Sequence, residues 1–200
     1  MKILGVSGKK QSGKGTAANF ILGVNMINYG IVRGSTNITP DGKLWVSDIF
    51  GNEEGQGILN DNYYVDAETT QWWTDNVWPF CKIYSFANPL KQLCMQIFGL
   101  TYEQCYGTNE QKNSLTALLW EDMPDIDKYH LGRTGRMTAR EVLQYGGTNI
   151  FRKMYPRSWI DATIKREILI EQSELAVLDD VRFSDEVEDI QKNGGKVIRL

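Results

Sequence analysis

The chain has 200 residues, of which 42% are hydrophobic and 24% charged, and its formal net charge is −3. This composition is typical of a soluble globular protein with one domain and a substantial core. It excludes a general attraction for nucleic acid or an anionic membrane, and no apolar run reaches the roughly 18 residues of a transmembrane helix. Three scattered cysteines and a single histidine, His130, predict reduced thiols in the cytoplasm and no zinc site. The short apolar start predicts no signal peptide.

A glycine-rich loop follows the first predicted strand, at residues 2–7, and leads into a predicted helix at 15–28. Residues 8–16 read GKKQSGKGT. Strand, Gly-x-x-x-x-Gly-Lys and helix in this order are typical of proteins that bind nucleotide phosphates. Gly8 and Gly13 allow a backbone wrap whose N–H groups point inward, and Lys14 adds a positive charge for the β- and γ-phosphates. The pattern therefore predicts a nucleotide site.

The position after this lysine departs from the common motif. It holds Gly15, and the hydroxyl arrives one residue later as Thr16. The form GKGT is familiar from nucleoside monophosphate kinases such as adenylate kinases, and it displaces the usual hydroxyl ligand of Mg²⁺. The alternative is a glycine-rich turn between strand and helix that binds nothing.

Residues 30–80 have a different composition, with scattered polar residues and several tryptophans. A turn at Pro40-Asp41-Gly42 followed by a strand predicts a small hairpin. We interpret the segment as an insertion on the core fold. It is a lid, an oligomer contact that would make the protein a homodimer, or a decoration with its own small cluster.

Regular structure is predicted again from residue 82. KIYSF at 82–86 is a buried-strand candidate, and a helix follows with Asn88 as its N-cap and Gly99 at its end. Lys91 lies in the first turn of that helix, close to the end of the strand. Open α/β sheets bind ligands at the ends of their strands, so Lys91 is a candidate ligand contact. An exposed lysine with no role is the alternative.

The next informative segments are a polar stretch and a capped helix. Residues 107–114 are predicted to form a loop. Thr138–Glu141 is a capping box that opens a helix with Arg140 in its first turn, where a guanidinium can bind a phosphate. The pair Gly146-Gly147 in this helix would let another backbone or a planar ligand approach closely. A further helix is predicted over 159–172.

The last part of the chain predicts strand, helix and strand. Residues 174–183 read as a buried strand that ends in Asp179 and Asp180. In phosphate-loop proteins a carboxylate at the tip of the neighbouring strand holds Mg²⁺, and we favour this role for one of the pair. The alternative is that one caps a turn while the other is solvated. A helix capped by Ser184 and a strand KVIRL follow, and the short links imply parallel pairing.

Taken together, these segments resemble the deoxynucleoside monophosphate kinases of tailed bacteriophages. The resemblance runs along the whole chain and is weakest at 30–80. It is carried by SGKKQSGKGTAANF, YSFANPLKQLCMQIFGL, GTNEQKNSLT, MTAREVLQYGGTNIFR and LDDVRFSDEVEDIQKNGGKVIRL. Several motifs in this order are more specific than the phosphate loop alone.

The resemblance implies a three-layer α/β fold of the P-loop NTPase, nucleoside monophosphate kinase type, with a parallel sheet and helices on both faces. It implies transfer of the γ-phosphoryl group of ATP to a deoxynucleoside monophosphate (dNMP) with Mg²⁺, in the cytoplasm of the host cell. The residues that it assigns to ATP phosphates are Gly8, Gly13, Lys14, Gly15 and Thr16. Those that it assigns to the substrate phosphate are Lys10, Lys91 and Arg140, with Lys14, Lys91 and Arg140 acting in catalysis. Those that it assigns to the deoxynucleotide are Gly147, Thr148 and Trp159, and those that it assigns to the metal are Asp180 and Thr16.

The family's chains continue past the strand that here ends at Leu200, into a segment that covers ATP and a last strand. The resemblance therefore predicts weak ATP binding and an exposed sheet edge for these residues alone. Two alternatives stay open: another small-molecule phosphate-loop kinase, acting on a nucleoside or dephospho-coenzyme A, and a nucleotide-binding module without catalysis. A nucleic-acid motor is disfavoured because no helicase-like companion motif or basic groove is apparent at a net charge of −3.

Overall fold

A computed structural model of the chain describes residues 1–9, 11–49, 51, 55–59, 67–123 and 133–200. The chain divides into two compact units, the first made of Met1–Phe86 and Ala162–Leu200 and the second of Ala87–Asp161. Lys10 and His130 lie outside the described residues, so the role of Lys10 stays a prediction. No helix in the described ranges combines the length and apolar character needed to span a membrane.

The elements alternate between strands and helices along much of the chain. The first unit begins with β1 (Lys2–Ser7), α1 (Lys14–Asn28), β2 (Thr36–Ile38), β3 (Leu44–Val46), β4 (Gly57–Ile58), α2 (Ala67–Asn76) and β5 (Cys81–Tyr84). The second contains α3 (Asn88–Phe98), α4 (Tyr102–Tyr106), α5 (Asn109–Lys112), β6 (Leu115–Leu119), β7 (Arg136–Thr138), α6 (Ala139–Gln144), α7 (Arg152–Met154) and α8 (Ser158–Ile160). The first unit resumes with α9 (Leu169–Glu171), β8 (Leu175–Val181), α10 (Ser184–Lys192) and β9 (Lys196–Arg199). π-helical turns cover Tyr145–Phe151 and Asp161–Ile168.

The main sheet of the first unit is parallel. Within the described residues its strands lie in the order β5, β8, β1, β9, and each neighbouring pair runs in the same direction. The sequence-predicted strands of this sheet are thereby confirmed. The expected pairing of the last two strands with each other is wrong, because β1 lies between β8 and β9 and pairs with both.

Helices cover both faces of this sheet. Side chains alternate between the two faces along a strand, so neighbouring residues of β1 contact the layers on opposite sides of the sheet. Val6 belongs to the core cluster that contains Leu22 and Met26 of α1. A Cβ added at Gly5 would lie 2.8 Å from Cδ1 of Ile190, so α10 packs directly against the other face. The structure is therefore a mixed α/β fold with a parallel sheet flanked by helices.

The predicted hairpin in the 30–80 segment is confirmed. Strands β2 and β3 pair antiparallel, with Ile38 opposite Leu44, and β4 adds to β3. Leu44 and Val46 are almost fully buried in the cluster that also contains Val6 and Val177 of the main sheet. Burial of side chains of this kind contributes about 1.5–3 kcal/mol each. The described part of this segment thus belongs to the core of the first unit and forms no separate cluster.

Two predicted helix caps are displaced by one residue. Asn88 is the first residue of α3 and not its cap, since its side chain accepts a hydrogen bond from the Tyr106 hydroxyl. Ser184 is likewise the first residue of α10, where the Glu186 carboxylate accepts hydrogen bonds from the backbone N–H groups of Arg182 and Phe183 at 2.7 and 3.0 Å. The predicted end of α3 at Gly99 is confirmed, because Gly99 is left-handed with φ 65°.

A charged cluster lies beside the edge strand β5. The Lys82 ammonium and the Tyr84 hydroxyl both donate to Oε2 of Glu171, at 2.6 and 2.8 Å. Burial, together with the Glu171 carboxylate, raises the pKa of Glu167 from 4.5 to about 7, against an opposing effect of the Lys82 ammonium. The folded protein therefore holds this proton more tightly than the unfolded chain does.

We expect the free energy of unfolding to fall as pH rises from about 4.5 to 7, because the unfolded chain releases the Glu167 proton first. Water screens this half-buried carboxyl, so the expected loss is about 1–2 kcal/mol. Glu167→Gln should remove this part of the pH dependence, measured by urea unfolding at several pH values. Glu188→Gln, in an exposed ion pair with Lys192, is the control and should leave it unchanged. An equal slope in wild type and Glu167→Gln would contradict the assignment.

Candidate functional site

The loop after β1 has an unusual backbone conformation. Three of its described residues have positive φ: Gly8 at 156°, Gln11 at 63° and Gly13 at 84°. Residues other than glycine rarely adopt such angles, so Gln11 marks a conformation that the rest of the loop imposes. A Cβ at Gly8 would lie 2.4 Å from Oγ of Ser12, which explains why this position needs glycine. The turn is therefore tightly wound, as its sequence predicts.

Lys14 folds back over this loop. Its ammonium donates to the backbone oxygens of Gly8 at 3.0 Å and Lys9 at 2.6 Å. These bonds hold the positive charge of Lys14 above the loop. Among the described residues, no acidic side chain forms an ion pair with Lys14. The charge is thus available to an anion that enters the loop.

The N-terminus of α1 adds to this field. Gly13 is its N-cap, no side-chain bond caps the helix, and the described first turn carries no acidic residue. Free N–H groups and the helix dipole favour negative charge at such an end. Gly15 and Thr16 lie in this first turn and are exposed. The described loop residues, Lys14 and the first turn of α1 therefore lie next to one another and favour an anion. Their contact with phosphates stays a prediction, as does the role of Lys10, which lies outside the described residues.

The two aspartates lie at the same end of the sheet as this loop. Gly5 pairs with Leu178 and Ser7 with Val181, so Asp179 and Asp180 fall beside the end of β1 where the loop begins. Asp180 accepts hydrogen bonds from Ser85 Oγ at 2.7 Å and from the Phe86 N–H at 2.8 Å. Asp180 therefore holds in place the backbone that follows β5. That contact was not foreseen from the sequence.

The donor set near the loop fits Mg²⁺. Carboxylate and hydroxyl oxygens are ligands that this ion prefers, and a carboxylate that accepts two hydrogen bonds keeps further lone pairs. Among the described residues no group of three or more acidic, histidine or cysteine side chains could hold a metal by itself. Mg²⁺ in nucleotide sites is held by one or two protein oxygens together with phosphates, so a larger group is not required.

The second unit contains the other predicted phosphate contacts. The Lys91 ammonium lies 4.3 Å from the centre of the Tyr106 ring, and the Tyr106 hydroxyl bonds to Asn88. Arg140 donates from Nη2 to Oδ1 of Asn109 at 2.9 Å, which links α6 to α5. The capping box predicted for this helix is confirmed, since the Thr138 hydroxyl and the Glu141 carboxylate bond each other's backbone N–H groups.

Lys112 is a third cation near Lys91 and Arg140, and it was not identified from the sequence. Desolvation and the positive charges of Lys91 and Arg140 all lower the pKa of Lys112, with the Cys105 thiol acting in the opposite direction. Residues 107–114 were expected to be a loop, but α5 forms there behind a capping box of Thr108 and Gln111. That box is visible in the sequence as Thr-x-x-Gln and would have placed Lys112 on a helix.

The predicted deoxynucleotide contacts fall on and around a π-helical turn. Gly147 is buried there, its carbonyl accepts a hydrogen bond from the Trp159 indole at 3.2 Å, and Thr148 beside it is exposed. A Cβ at Gly147 would lie 2.6 Å from Cδ2 of Leu90, the neighbour of Lys91. Trp159 is itself buried and packs edge-on against Phe151. Gly147 and Trp159 are thus brought together by packing, and their contact with a nucleotide stays a prediction.

The three cysteines are buried free thiols, as expected. Burial raises the pKa of Cys81 and of Cys94 to about 12. Thiols that are protonated at neutral pH are poor nucleophiles, so neither is a candidate catalytic group.

No protein-family model matches the chain. A protein of Acanthamoeba polyphaga mimivirus, named "Putative deoxynucleotide monophosphate kinase", is 32% identical to it over 132 residues. The match covers 58% of this chain and spans 58% of the relative's length. The match supports the kinase family that the sequence resembles. The matching relative comes from mimivirus and not from a bacteriophage.

Proposed function

We propose that this chain is a kinase that transfers the γ-phosphoryl group of ATP to a deoxynucleoside monophosphate. The observation that carries the proposal is that each compact unit contains its own cationic arrangement for a phosphate. The first unit has the loop, Lys14 and the start of α1. The second has Lys91, Lys112 and Arg140. A reaction between a triphosphate and a monophosphate needs two such arrangements, and the name of the mimivirus relative describes a reaction of this type.

On the donor side, the backbone N–H groups of the loop and the N-terminus of α1 would bind the β- and γ-phosphates of ATP. Lys14 would exchange its bonds to Gly8 and Lys9 for phosphate oxygens. Thr16 and Asp180 would hold Mg²⁺, which would offset the negative charge of the β- and γ-phosphates.

On the acceptor side, Lys91, Arg140 and Lys112 would bind the phosphate of the dNMP. A phosphate monoester carries about −1.5 to −2 charges at neutral pH, which matches a group of cations that repel one another when no anion is present. An uncharged nucleoside would leave that repulsion in place. The cluster therefore favours a monophosphate over a nucleoside as the acceptor.

The chemistry needs positioning and charge neutralisation more than a strong base. An oxygen of the dNMP phosphate attacks the γ-phosphorus, and the bond from that phosphorus to the β–γ bridging oxygen breaks, giving ADP and a deoxynucleoside diphosphate. The transition state is loose and anionic, so cations at the transferred group lower its energy. Lys14 would supply such a charge, and no general base has to be assigned.

The proposal is tested by measuring ADP and deoxynucleoside diphosphate formation with ATP, Mg²⁺ and each of the four dNMPs. Nucleosides and dephospho-coenzyme A are run alongside as alternative acceptors. Turnover of at least one dNMP with none of the nucleosides is expected. Lack of turnover with every dNMP would contradict the proposal, and turnover with a nucleoside alone would favour the other kinase class.

Lys112→Gln should raise the KM for the dNMP by about 10-fold or more, because it removes one charged hydrogen-bond donor from the phosphate. The KM for ATP should stay unchanged. Lys192→Gln makes the same change of charge in an exposed ion pair and serves as the control. Equal dNMP KM values for Lys112→Gln and Lys192→Gln would remove Lys112 from the site.

A further inference from the structure

The hairpin of the first unit ends in a hydrogen-bonded turn, Thr39–Lys43. The Thr39 N–H donates to the Lys43 carbonyl at 2.9 Å, and the Gly42 N–H donates to the Thr39 carbonyl at 2.8 Å. The Thr39 hydroxyl adds bonds to the Asp41 carboxylate at 2.5 Å and to the Lys43 backbone. These bonds define the shape of the turn between β2 and β3.

This turn rests on the first two turns of α1. Asn19 donates from Nδ2 to the Gly42 carbonyl at 2.9 Å. A Cβ added at Gly42 would lie only 2.5 Å from Oγ1 of Thr16. The turn therefore lies so close to Thr16 that a side chain at position 42 would meet its hydroxyl, which favours glycine there.

The strands behind the turn hold it in this position. Gly23 of α1 leaves room for the hairpin, since a Cβ there would lie 2.8 Å from Cδ1 of Leu44 and 3.2 Å from Thr36. Leu44 is almost fully buried in the core of the unit. The turn is thus anchored through the core on one side and through Asn19 on the other.

We propose that the Thr39–Lys43 turn is a fixed wall of the ATP-phosphate site, with Gly42 and Asn19 as positioning residues for the Thr16 hydroxyl. The inference rests on the proposed function, because it takes the phosphate loop as an ATP site. It assigns a role to the 30–80 segment that is neither a lid nor a decoration. The ligand concerned is the triphosphate of a nucleotide, bound at the start of α1.

The test is the dissociation constant of ATP, measured by calorimetry with and without Mg²⁺, in the full chain. Gly42→Ala should weaken ATP binding about fivefold or more, since the new methyl group displaces the Thr16 hydroxyl. Gly30→Ala is the matched control, because Gly30 is also left-handed with φ 70° but a Cβ added there would have no other atom within 4 Å. It should bind ATP as the wild type does, although both substitutions lower the melting temperature through backbone strain.

A double-mutant cycle separates positioning from general damage. In a Thr16→Ala background the clash with Oγ1 is absent, so Gly42→Ala should then have almost no further effect on ATP binding. Asn19→Ala should weaken ATP binding in the same direction as Gly42→Ala, with the dNMP KM unchanged. Wild-type ATP affinity in Gly42→Ala, or an equal loss in both backgrounds, would overturn the inference. ATP binding without dNMP turnover would instead contradict the proposed function alone, so the two failures are distinguishable.

Discussion

Replacement of Lys14 by alanine is expected to lower the rate of phosphoryl transfer by about 10²–10³-fold, which is the usual cost of removing one charged donor from a transferred group. The ammonium of Lys14 lies over the described part of the loop, where it donates to the carbonyls of Gly8 and Lys9. Steady-state rates at saturating ATP and dNMP would measure the loss. A nucleotide-binding module without catalysis would instead show weaker ATP binding and no ADP formation with either protein.

Lys9→Ala is the matched control for this substitution. It removes the same charge from the same loop, but the Lys9 side chain is exposed and the described loop uses only its backbone oxygen. We expect its turnover to stay within a few-fold of the wild type, since exposed charges act weakly through water. Similar losses in both variants would mean that the loop responds to its net charge, and Lys14 would lose its special role.

The parts of the fold that follow local rules could be predicted from the sequence. The strand, loop and helix at 2–28 are predictable because Gly8, Gly13 and Lys14 form a motif whose geometry depends on neighbouring residues only. The end of α3 at Gly99 and the capping box of Thr138 have the same local origin. These features need no knowledge of the tertiary structure.

The features that were missed depend on contacts between residues far apart in the sequence. The short links between β8, α10 and β9 do not determine that β1 lies between the two strands in the sheet. Asn88 bonds to Tyr106, and a tertiary partner of this kind removes it from its predicted capping role. Lys112 was missed because its significance comes from Lys91 and Arg140, which the fold brings near it. The loop of the candidate site was thus predictable from the sequence, whereas Lys112 beside Lys91 and Arg140 was not identified from it.

Leu90 packs closely against Gly147 and precedes Lys91, one of the cations proposed to bind the dNMP phosphate. Gly147→Ala should destabilise the protein by about 1–3 kcal/mol, because a methyl group there would meet Cδ2 of the buried Leu90 at 2.6 Å. Leu90 precedes Lys91 in the first turn of α3, so its displacement should move Lys91 as well. We therefore expect a higher dNMP KM in addition to the loss of stability.

Gly146→Ala supplies the comparison, because the two glycines are adjacent and buried in the same helical turn. A Cβ at Gly146 would lie 3.9 Å from Leu90, an ordinary contact, so this variant keeps the gain in helix propensity of about 1 kcal/mol without a clash. Urea unfolding and dNMP KM values of both variants would measure the difference. Equal stability of the two would show that Leu90 rotates away freely. An unchanged dNMP KM in a destabilised Gly147→Ala would separate the packing of this turn from the placement of Lys91.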